Sequence, residues 1–440
     1  MPSSGDGPRD DAQAIPLTAV SVAAAHRALK AHLFETPLLP SPRLFDRTGA
    51  HVFLKAENIQ RTGSFKVRGS VNKLRKLMEA GAVSRVTAAS AGNHAQGVAY
   101  AAARLDIDCL IFMPEDAPLA KRRNTEELGA RVEIIGRNYD ESRAAALEYA
   151  DRHDVVFVDG FDDWDIIEGQ ATIGVEITQD LGDRVPDYVL VPAGGGGLLA
   201  GVLFYLKAIY GDRTKVIGVQ CGRATALLES LRLARGPEPV AVELPVETPT
   251  RPTIADGVRI GRPGRRPFEV IRRYVDDIIE VSEESIYEAI VFLYEHSRLV
   301  VEGAGALGVA ALMEGRLRPE PDSLVVLLLS GGNIDLGAIQ KLITSYLHKS
   351  GRRVVLRIKV KDLPGQLARV VRIFERERLN VAEIDQTPVT GKPLSPEYTV
   401  FDICVETEGE RQIPQIMRTL EEERARMARE GQEPFEILQR

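Results

Sequence analysis

The chain has 440 residues, of which 44% are hydrophobic and 27% are charged, and its formal net charge is −7. This length suits two or three domains, and the composition is that of a globular protein rather than a fibrous or disordered one. The negative net charge argues against a nucleic-acid partner, and no apolar run is long enough to cross a bilayer.

The cysteines give an expectation about the compartment. Cys109, Cys221 and Cys404 lie far apart and are odd in number. They predict buried thiols in a reducing environment rather than a disulfide framework or a zinc site. The N-terminus also lacks the pattern of a secretory leader, so we expect a cytoplasmic protein. From the spacing of the cysteines we expect no bound metal.

Residues 1–16 are rich in Ser, Gly, Asp and Pro and are expected to be disordered. Beyond them, residues 17–350 alternate short apolar strands with helices. The predicted strands are Val52–Lys55, Arg85–Ala89, Asp108–Met113, Arg131–Ile135, Asp187–Pro192, Lys215–Gln220 and Leu324–Ser330. The predicted helices are Val20–Ala31, Val71–Glu79, Ala95–Leu105, Leu119–Leu128, Ser142–Asp151, Leu198–Tyr210 and Glu283–Tyr294. This alternation predicts an α/β fold with mostly parallel sheets, in which ligands bind beyond the carboxyl ends of the strands.

The pattern changes near residue 350, where a short polar stretch, 348–353, predicts a linker. Residues 351–440 then follow a βαββαβ order. Its predicted elements are strand Val354–Val360, helix Gln366–Arg378, strands Val381–Thr387 and Glu397–Val405, helix Pro414–Ala428 and strand Phe435–Leu438. The sequence therefore predicts a separate C-terminal domain.

The first candidate site is Lys66, which follows Gly63-Ser64-Phe65 at the expected start of a helix. A lysine amine held away from solvent has a lowered pKa and can form a Schiff base with a carbonyl. Taken alone, Lys66 would more often be a surface lysine like Lys73 or Lys76.

The second is the segment 90–97, Ser-Ala-Gly-Asn-His-Ala-Gln-Gly, which follows strand Arg85–Ala89 and opens a helix. Such a turn presents backbone N–H groups and short polar side chains to an anion. The alternative is an ordinary helix cap by Ser90 or Asn93.

The third is the run Gly194-Gly195-Gly196-Gly197 between strand Asp187–Pro192 and a helix. Four glycines allow the backbone to approach a phosphate closely and to direct several N–H groups at it. The run matches neither the P-loop nor the dinucleotide-binding pattern. A flexible linker is unlikely between a buried strand and a helix, so the run indicates a phosphate site.

The fourth is Ser330-Gly331-Gly332-Asn333, at the carboxyl end of an apolar strand. Ser330 therefore lies where ligands of parallel sheets bind, although a plain strand-to-helix turn would give the same pattern.

Together, in this order and spacing, the four motifs resemble the fold-type II pyridoxal-phosphate enzymes, and within them the threonine/serine dehydratase group. Smaller matches are Met113-Pro114, Gly169 to Ile173, Ala255-Asp256-Gly257 and Glu302 to Ala306. The resemblance implies two open, mostly parallel α/β domains, the smaller at about residues 60–160. It also implies pyridoxal 5′-phosphate as cofactor and elimination from threonine, with some activity on serine.

The resemblance also implies a role for each matched position. Lys66 would carry the cofactor and move the α-proton of the substrate. Cofactor contacts would come from Phe65 at the ring, Asn93 at the ring hydroxyl, Ser330 at the pyridine nitrogen, and Gly194, Gly195, Gly196, Gly197 and Leu198 at the phosphate. Substrate contacts would come from Ser90, Ala91, Gly92, Asn93 and His94, with Ser90 and the neighbouring backbone at the carboxylate.

Two departures from related racemases narrow the activity. Ala91 stands where those relatives carry a serine hydroxyl, and alanine cannot transfer a proton. The stretch Val219 to Ala226 offers no carboxylate where those relatives hold a divalent cation, which prefers charged oxygen ligands. Both departures argue against a serine racemase and against a metal at that position.

The segment Asp362-Leu363-Pro364-Gly365-Gln366-Leu367, with Asn380 before the next strand, resembles an ACT regulatory domain. The resemblance implies an amino-acid effector held by Asp362, Pro364, Gly365, Gln366, Leu367 and Asn380, in a homo-oligomer (dimer or tetramer). The alternative is a module that serves only as an oligomerisation surface.

Other activities stay open at this level. Within the same fold, the chain could be a 3-hydroxyaspartate ammonia-lyase or a serine racemase. A catalytically idle amino-acid sensor is a further alternative. The basic stretch Arg259, Arg262, Arg265, Arg266, Arg272 and Arg273 could mark a nucleic-acid binder, but it lacks interleaved aromatic residues and is read as a solvated loop.

Overall fold

A computed structural model describes residues 15–81, 83–236, 245–386 and 397–439. The expected disorder of the N-terminus concerns residues that, except for residues 15 and 16, lie outside these ranges. The chain divides into two compact units, one ending at Ile334 and one beginning at Asp335. Helix 336–349 therefore belongs to the second unit by its contacts; the domain limits near residues 60, 160 and 350 stay predictions.

The strands of the first unit match the predicted ones to within one or two residues where both exist. They are β1 (Leu38–Pro40), β2 (His51–Lys55), β3 (Arg85–Ala89), β4 (Asp108–Met113), β5 (Arg131–Ile134), β6 (Val156–Phe157), β7 (Tyr188–Pro192), β8 (Lys215–Cys221), β9 (Asp277–Val281) and β10 (Leu324–Leu328). They form a six-stranded sheet in the order β1-β2-β10-β7-β8-β9 and a four-stranded sheet in the order β5-β4-β3-β6. Every pair is parallel except β1 with β2. The predicted parallel α/β fold is confirmed.

Helices cover these sheets. They are α1 (Ala19–Leu29), α2 (Pro42–Thr48), α3 (Lys66–Ala80), α4 (Asn93–Arg104), α5 (Leu119–Glu127), α6 (Tyr139–His153), α7 (Trp164–Leu181), α8 (Gly197–Tyr210), α9 (Ala226–Ala234), α10 (Arg265–Tyr274), α11 (Glu283–Phe292) and α12 (Leu307–Met313). Helix α7 was not predicted, because an unbroken run of buried residues, Ile166 to Ile177, erases the amphipathic period of a surface helix.

Helices α3 and α7 pack closely at a pair of glycines. A Cβ added to Gly169 would lie 2.6 Å from the backbone of Arg68 and Gly69. A Cβ on Gly69 would meet the Ile166 carbonyl at 2.9 Å. Only glycine permits this approach, which fixes the position of the helix that begins with Lys66.

The basic stretch was wrongly read as a loop throughout, because its second half forms helix α10. Asp162, from the distant loop after β6, accepts hydrogen bonds from the backbone N–H groups of Arg265 and Arg266. This remote cap cannot be seen in the local sequence, where Gly264 and Pro267 suggest a turn. Arg272 pairs with Glu269, and Arg266 donates to the Asp162 carbonyl.

The second unit contains α13 (Leu336–Lys349), β11 (Arg353–Lys361), α14 (Gln366–Arg376), β12 (Val381–Gln386), β13 (Tyr398–Glu406), α15 (Ile413–Arg429) and β14 (Glu436–Gln439). Its strands form an antiparallel sheet in the order β12-β13-β11-β14. Apolar residues of the sheet and of α14 and α15, such as Leu356, Phe374 and Leu420, form its core. The predicted βαββαβ order is confirmed; Thr387, the predicted end of one strand, lies outside the described residues.

No helix in the described ranges is long and apolar enough to span a membrane. Within the same ranges, no group of three or more His, Cys, Asp or Glu side chains is placed to hold a metal ion. The cysteines Cys109, Cys221 and Cys404 are buried and unpaired.

Candidate active site

Three of the four motifs begin within two residues of the carboxyl end of a parallel strand. Ser90 comes after β3, Gly194 shortly after β7, and Ser330 shortly after β10. The fourth motif, with Lys66, lies on the loop that leads from β2 into α3. The structure thus places all four where an open α/β sheet binds its ligands.

Lys66 is the first residue of α3, and its side chain is partly buried. Its Nζ donates to the carbonyl oxygen of Gly160 at 2.7 Å. Burial lowers the pKa of this amine to about 8, against the opposing effect of the carboxylates of Asp159 and Glu302. With this pKa, a minor but appreciable fraction of the amine is neutral near physiological pH, and the neutral amine can accept a proton or attack a carbonyl carbon.

The glycine run forms the turn from β7 into α8. Among hydrogen bonds between described residues, none uses the N–H groups of Gly194 to Gly197. Side chains are excluded here, since a Cβ on Gly195 would meet the Phe161 ring at 2.6 Å and Gly196 has a φ of +96°. These N–H groups lie at the start of a 14-residue helix, where backbone donors are suited to binding an anion.

The loop after β6 joins the lysine to the glycine run, and sequence reasoning missed it. Gly160 accepts from Lys66, and the neighbouring Phe161 packs against Gly195 and Gly197. Asp159 accepts the N–H groups of Phe161 and Asp162, at 3.0 and 2.9 Å, which fixes the loop. The available signal was position alone, since this loop also follows a strand end.

Asn93 begins α4 and is held by two residues that the sequence reading left without a role. Its Nδ2 donates to Oε1 of Glu302 at 2.8 Å, and its Oδ1 accepts from Nδ2 of Asn333 at 2.8 Å. Burial of the Glu302 carboxyl, together with the nearby charge of Asp256, raises its pKa to about 7. Glu302 and Asn333 both lie in motifs that the sequence analysis quoted.

Ser330 and Phe65 lie beside each other. Ser330 is buried, and its carbonyl oxygen accepts the N–H of Phe65 at 3.0 Å. Phe65 is partly buried, and the Lys66 amine is 5.4 Å from the centre of its ring. This backbone bond ties the lysine loop to the end of β10.

The segment 90–92 connects β3 to α4. Ser90 Oγ accepts the N–H of Gly92 at 3.1 Å. The ring of His94 is buried, and its Nε2 lies 2.9 Å from the carbonyl of Val158. Burial and the charge of Lys66 lower the pKa of His94 to about 4, so the ring is neutral. If His94 contacts a substrate, we therefore expect the contact to come from its backbone.

The structure does not bring the two parts of the predicted regulatory site together within one chain. The turn Asp362–Leu367 follows the end of β11, where Lys361 pairs with Tyr398. Asn380 is at the other end of the sheet, where its Nδ2 donates to Glu406, the partner of Arg353. Nine residues of β11 separate the two ends, roughly 26 Å.

Comparison with known proteins identifies the family. Residues 29–331 match the model described as pyridoxal-phosphate dependent enzyme. The chain belongs to this family of pyridoxal-phosphate-dependent enzymes. Its fold is that of fold type II, and residues 354–425 match the ACT domain. Both expectations from the motifs are confirmed.

Three relatives of this pyridoxal-phosphate enzyme are similar to it in sequence or structure. The chain is 40% identical to an L-threonine ammonia-lyase of Thermotoga maritima over 92% of its own length and 97% of the relative. A threonine deaminase isoform of Solanum lycopersicum has a similar structure, with a TM-score of 0.67 and 31% identity over 77% of this chain and 94% of that one. Maize serine racemase has a TM-score of 0.68 and 27% identity over 75% and 98% of the two chains.

The residues present fit pyridoxal phosphate. The unpaired N–H groups of the glycine run suit its phosphate, and the buried Lys66 amine suits its carbonyl carbon. In addition, the buried hydroxyls of Thr62 and Ser64, in the loop that carries Lys66, have no hydrogen-bond partner within the described residues. Buried polar atoms are seldom left unpaired in a protein, so these hydroxyls indicate that the loop faces a polar ligand.

Proposed function

We propose that the protein is an L-threonine ammonia-lyase that converts L-threonine to 2-oxobutanoate and ammonia, and L-serine to pyruvate and ammonia. The observation that carries this proposal is the 40% identity with an L-threonine ammonia-lyase along 97% of that relative. An identity that extends over both domains supports a shared activity better than a shared fold does.

Lys66 is the proposed catalytic residue. It would hold the cofactor through Nζ and, once the substrate amine has taken its place, accept the proton from the α-carbon. The lowered pKa of about 8 supports this role, because a fully protonated lysine could not take up a proton. The Gly160 carbonyl accepts a hydrogen bond from the amine, and the centre of the Phe65 ring lies 5.4 Å from it.

The cofactor, when bound, supplies an electron sink for the charge that develops at the α-carbon. We assign the phosphate to the N–H groups of Gly194 to Leu198, the ring face to Phe65 and the ring oxygen to Asn93. Ser330 is assigned to the pyridine nitrogen. A neutral hydroxyl there would not hold that nitrogen protonated, and this would favour loss of the β-hydroxyl group over transamination.

The substrate carboxylate is assigned to Ser90 and the turn that opens α4, with the residues Ala91, Gly92, Asn93 and His94. The hydroxyl of Ser90 and the backbone N–H groups of the first helical turn are suitable donors for an anion. Because the His94 ring is buried and bonded to Val158, its side chain takes no part in this assignment.

A serine racemase is the second candidate, and the similarity to the maize enzyme favours it. Racemisation needs an acid on the face of the substrate opposite Lys66. Ala91 stands where the racemases carry a serine, and its methyl group cannot donate a proton. We therefore rank racemisation below elimination as the proposed activity. 3-Hydroxyaspartate is kept as a substrate to be tested for elimination.

We further propose that the ACT domain binds an amino-acid effector and that the enzyme works as a homo-oligomer in the cytoplasm. The match of residues 354–425 supports amino-acid binding. Isoleucine is the proposed effector because its carbon skeleton derives from 2-oxobutanoate. The buried free thiols Cys109, Cys221 and Cys404 support a reducing compartment.

The test is a spectrum of the purified protein followed by product identification. We expect a visible absorption band from the bound cofactor and formation of 2-oxobutanoate from L-threonine, slower turnover of L-serine, and little of 3-hydroxyaspartate. Preference for 3-hydroxyaspartate, or a band without any turnover, would overturn the proposal. Lys66→Ala is the inactive reference.

A further inference from the structure

Asn93 is the middle member of a chain of three hydrogen-bonded side chains, Asn333, Asn93 and Glu302. Asn333 Nδ2 donates both to the carbonyl oxygen of Thr62, at 2.8 Å, and to Oδ1 of Asn93, at 2.8 Å. Asn93 Nδ2 then donates to Oε1 of Glu302, also at 2.8 Å. The chain therefore connects the loop of Lys66, the start of α4 and the segment that precedes α12.

The Thr62 backbone carbonyl determines which end of each amide donates and which accepts. An asparagine amide has a donor end and an acceptor end of nearly equal size, so its orientation depends on its partners. The Thr62 carbonyl can only accept, which forces the Asn333 nitrogen to face it. Both hydrogens of that nitrogen are then used, and Asn93 must present its oxygen to Asn333 and its nitrogen to Glu302.

One donor remains. Asn93 Nδ2 carries two hydrogens, and Glu302 accepts one of them. Within the described residues, no side-chain hydrogen bond uses the second. Asn93 therefore keeps one free N–H on the nitrogen that faces Glu302, while its oxygen faces Asn333.

We propose that Asn333 and Glu302 are positioning residues that orient the Asn93 amide so that its free N–H points at the ring oxygen of pyridoxal phosphate. This inference rests on the proposed assignment of Asn93 to that oxygen. Through this N–H, Asn93 stabilises the ionised form of the ring oxygen more than the neutral form. A hydrogen bond to an ionised oxygen is stronger than one between neutral groups.

The surroundings of Glu302 support its part. Glu302 is buried, and its N–H donates to the Gly331 carbonyl at 2.9 Å. A Cβ on Gly331 would lie 2.4 Å from its Oε1, so the carboxyl is packed directly against the Ser330 loop. The charged groups near it are Asp256, Lys121 and Lys66. A carboxyl enclosed in this way has little freedom to leave Asn93.

The test is a double-mutant cycle on the cofactor affinity of the holoenzyme, followed by its visible absorption. The four proteins are the wild type, Asn93→Ala, Asn333→Leu and the double variant. Loss of a hydrogen bond to a charged group predicts that Asn93→Ala weakens cofactor binding about 10- to 100-fold. Asn333→Leu should weaken it by a similar factor and move the absorption band, because Asn93 is then free to turn.

The decisive comparison is the effect of Asn333→Leu in the Asn93→Ala background. If Asn333 acts through Asn93, this further change weakens cofactor binding by less than about twofold, because partners in one network are not additive. The inference would be overturned if Asn333→Leu weakened cofactor binding equally in both backgrounds. It would also be overturned if Asn333→Leu left the cofactor affinity of the otherwise wild-type protein unchanged. Should Asn333→Leu fail to fold, Asn333→Asp, which keeps the shape and removes the donor, takes its place in the same cycle.

A matched control lies in the same segment between β2 and α3. Asn58 Nδ2 donates to the Val300 carbonyl at 3.1 Å, much as Asn333 donates to Thr62, but has no hydrogen bond to Asn93. Asn58→Leu should lower the melting temperature without changing cofactor affinity or the absorption band. A wild-type protein without any cofactor band would refute the proposed function itself, whereas a band with additive effects refutes only this inference.

Discussion

Nη1 of Arg68 lies 2.6 Å from Oε1 of Glu176, and both side chains are shut away from solvent. Glu57 accepts from the other side of the same guanidinium, at 2.7 Å. Since Arg68 is two residues beyond Lys66, this ion pair ties the start of α3 to α7. A rigid start of the helix keeps the amine in place.

The Glu176 carboxyl should make the enzyme sensitive to acid. Burial alone would raise its pKa, but the charges and hydrogen bonds of Arg68 and Lys55 outweigh burial and lower it to about 2. A lowered pKa adds stability above the ordinary value near 4.5, and that stability is lost as the pH falls through 2. Breaking a buried pair costs about 3–5 kcal/mol, so Glu176→Gln should destabilise the protein by about this amount at neutral pH.

The measurement is the free energy of unfolding of Glu176→Gln and wild type across the acid range. The difference should shrink as the pH falls, because wild-type Glu176 then becomes neutral as well. Glu148→Gln, which removes an exposed pair with Arg152, is the control and should change stability by less than about 1 kcal/mol. A difference that stays constant with pH would contradict the assignment.

Lys66 should react with the cofactor in its neutral form. With an amine pKa of about 8, the rate of cofactor rebinding to the apoenzyme should rise with pH through about 8 and then level off. Borohydride should fix the cofactor to the peptide that carries Lys66. Lys66→Ala should lose this labelling and, as loss of a proton-transfer group implies, at least about 100-fold in kcat. Lys76→Ala, on the same helix, should keep both; labelling of a peptide without Lys66 would refute the role.

Ser330→Asp should keep the cofactor bound and slow elimination. A carboxylate beside the pyridine nitrogen favours its protonation and draws charge into the ring. We expect a lower kcat, a long-wavelength absorption band on addition of threonine, and side reactions such as transamination. Ser330→Ala, which stays neutral, is the comparison. If both variants turn over threonine alike and neither shows the band, Ser330 does not act on the ring.

Ala91 should make the enzyme a poor racemase. L-Serine incubated with the wild type should yield pyruvate and very little D-serine, while Ala91→Ser should increase the D-serine fraction by adding a proton donor. Chiral chromatography of the amino acid that remains measures both. Wild-type racemisation as fast as elimination would reverse the order of the two candidate functions.

The second unit should confer control. We expect isoleucine to raise the threonine concentration needed for half-saturation by about 5- to 150-fold, the range of ordinary allosteric coupling. A chain ending at Ile334, the end of the first compact unit, should not respond to isoleucine. Calorimetry with isoleucine, valine, threonine and serine identifies the ligand. Equal saturation curves for the two chains, with no ligand bound, would leave the second unit a structural module.

The sequence was most informative for strands and glycine turns, whose conformation depends on the residues of the segment itself. Short runs rich in apolar residues predicted β3 and β4 with their correct ends, because every residue after the exposed first one is buried in the parallel sheet. The glycine run could be assigned to an anion site because its position between strand and helix determines its geometry. Lys66, in contrast, depended on resemblance, since a lysine near a helix start is usually exposed.

What the sequence could not give depends on contacts between distant segments. Helix α7 has no amphipathic period because it is buried on nearly every side. Helix α10 is capped by Asp162, about one hundred residues earlier in the chain. Glu302 and Asn333 were quoted as parts of motifs, yet their common partner Asn93 precedes them by more than two hundred residues. Local patterns carry no record of such pairs.

The separation of the Asp362 turn from Asn380 has a consequence for how an effector is sensed. A pocket that uses both can form only when two copies of the chain place opposite ends of their sheets together. Its occupancy would then obey mass action in the protein as well as in the amino acid. On dilution the copies would separate and the pocket would be lost, so an enzyme that responds to isoleucine when concentrated would ignore it when dilute.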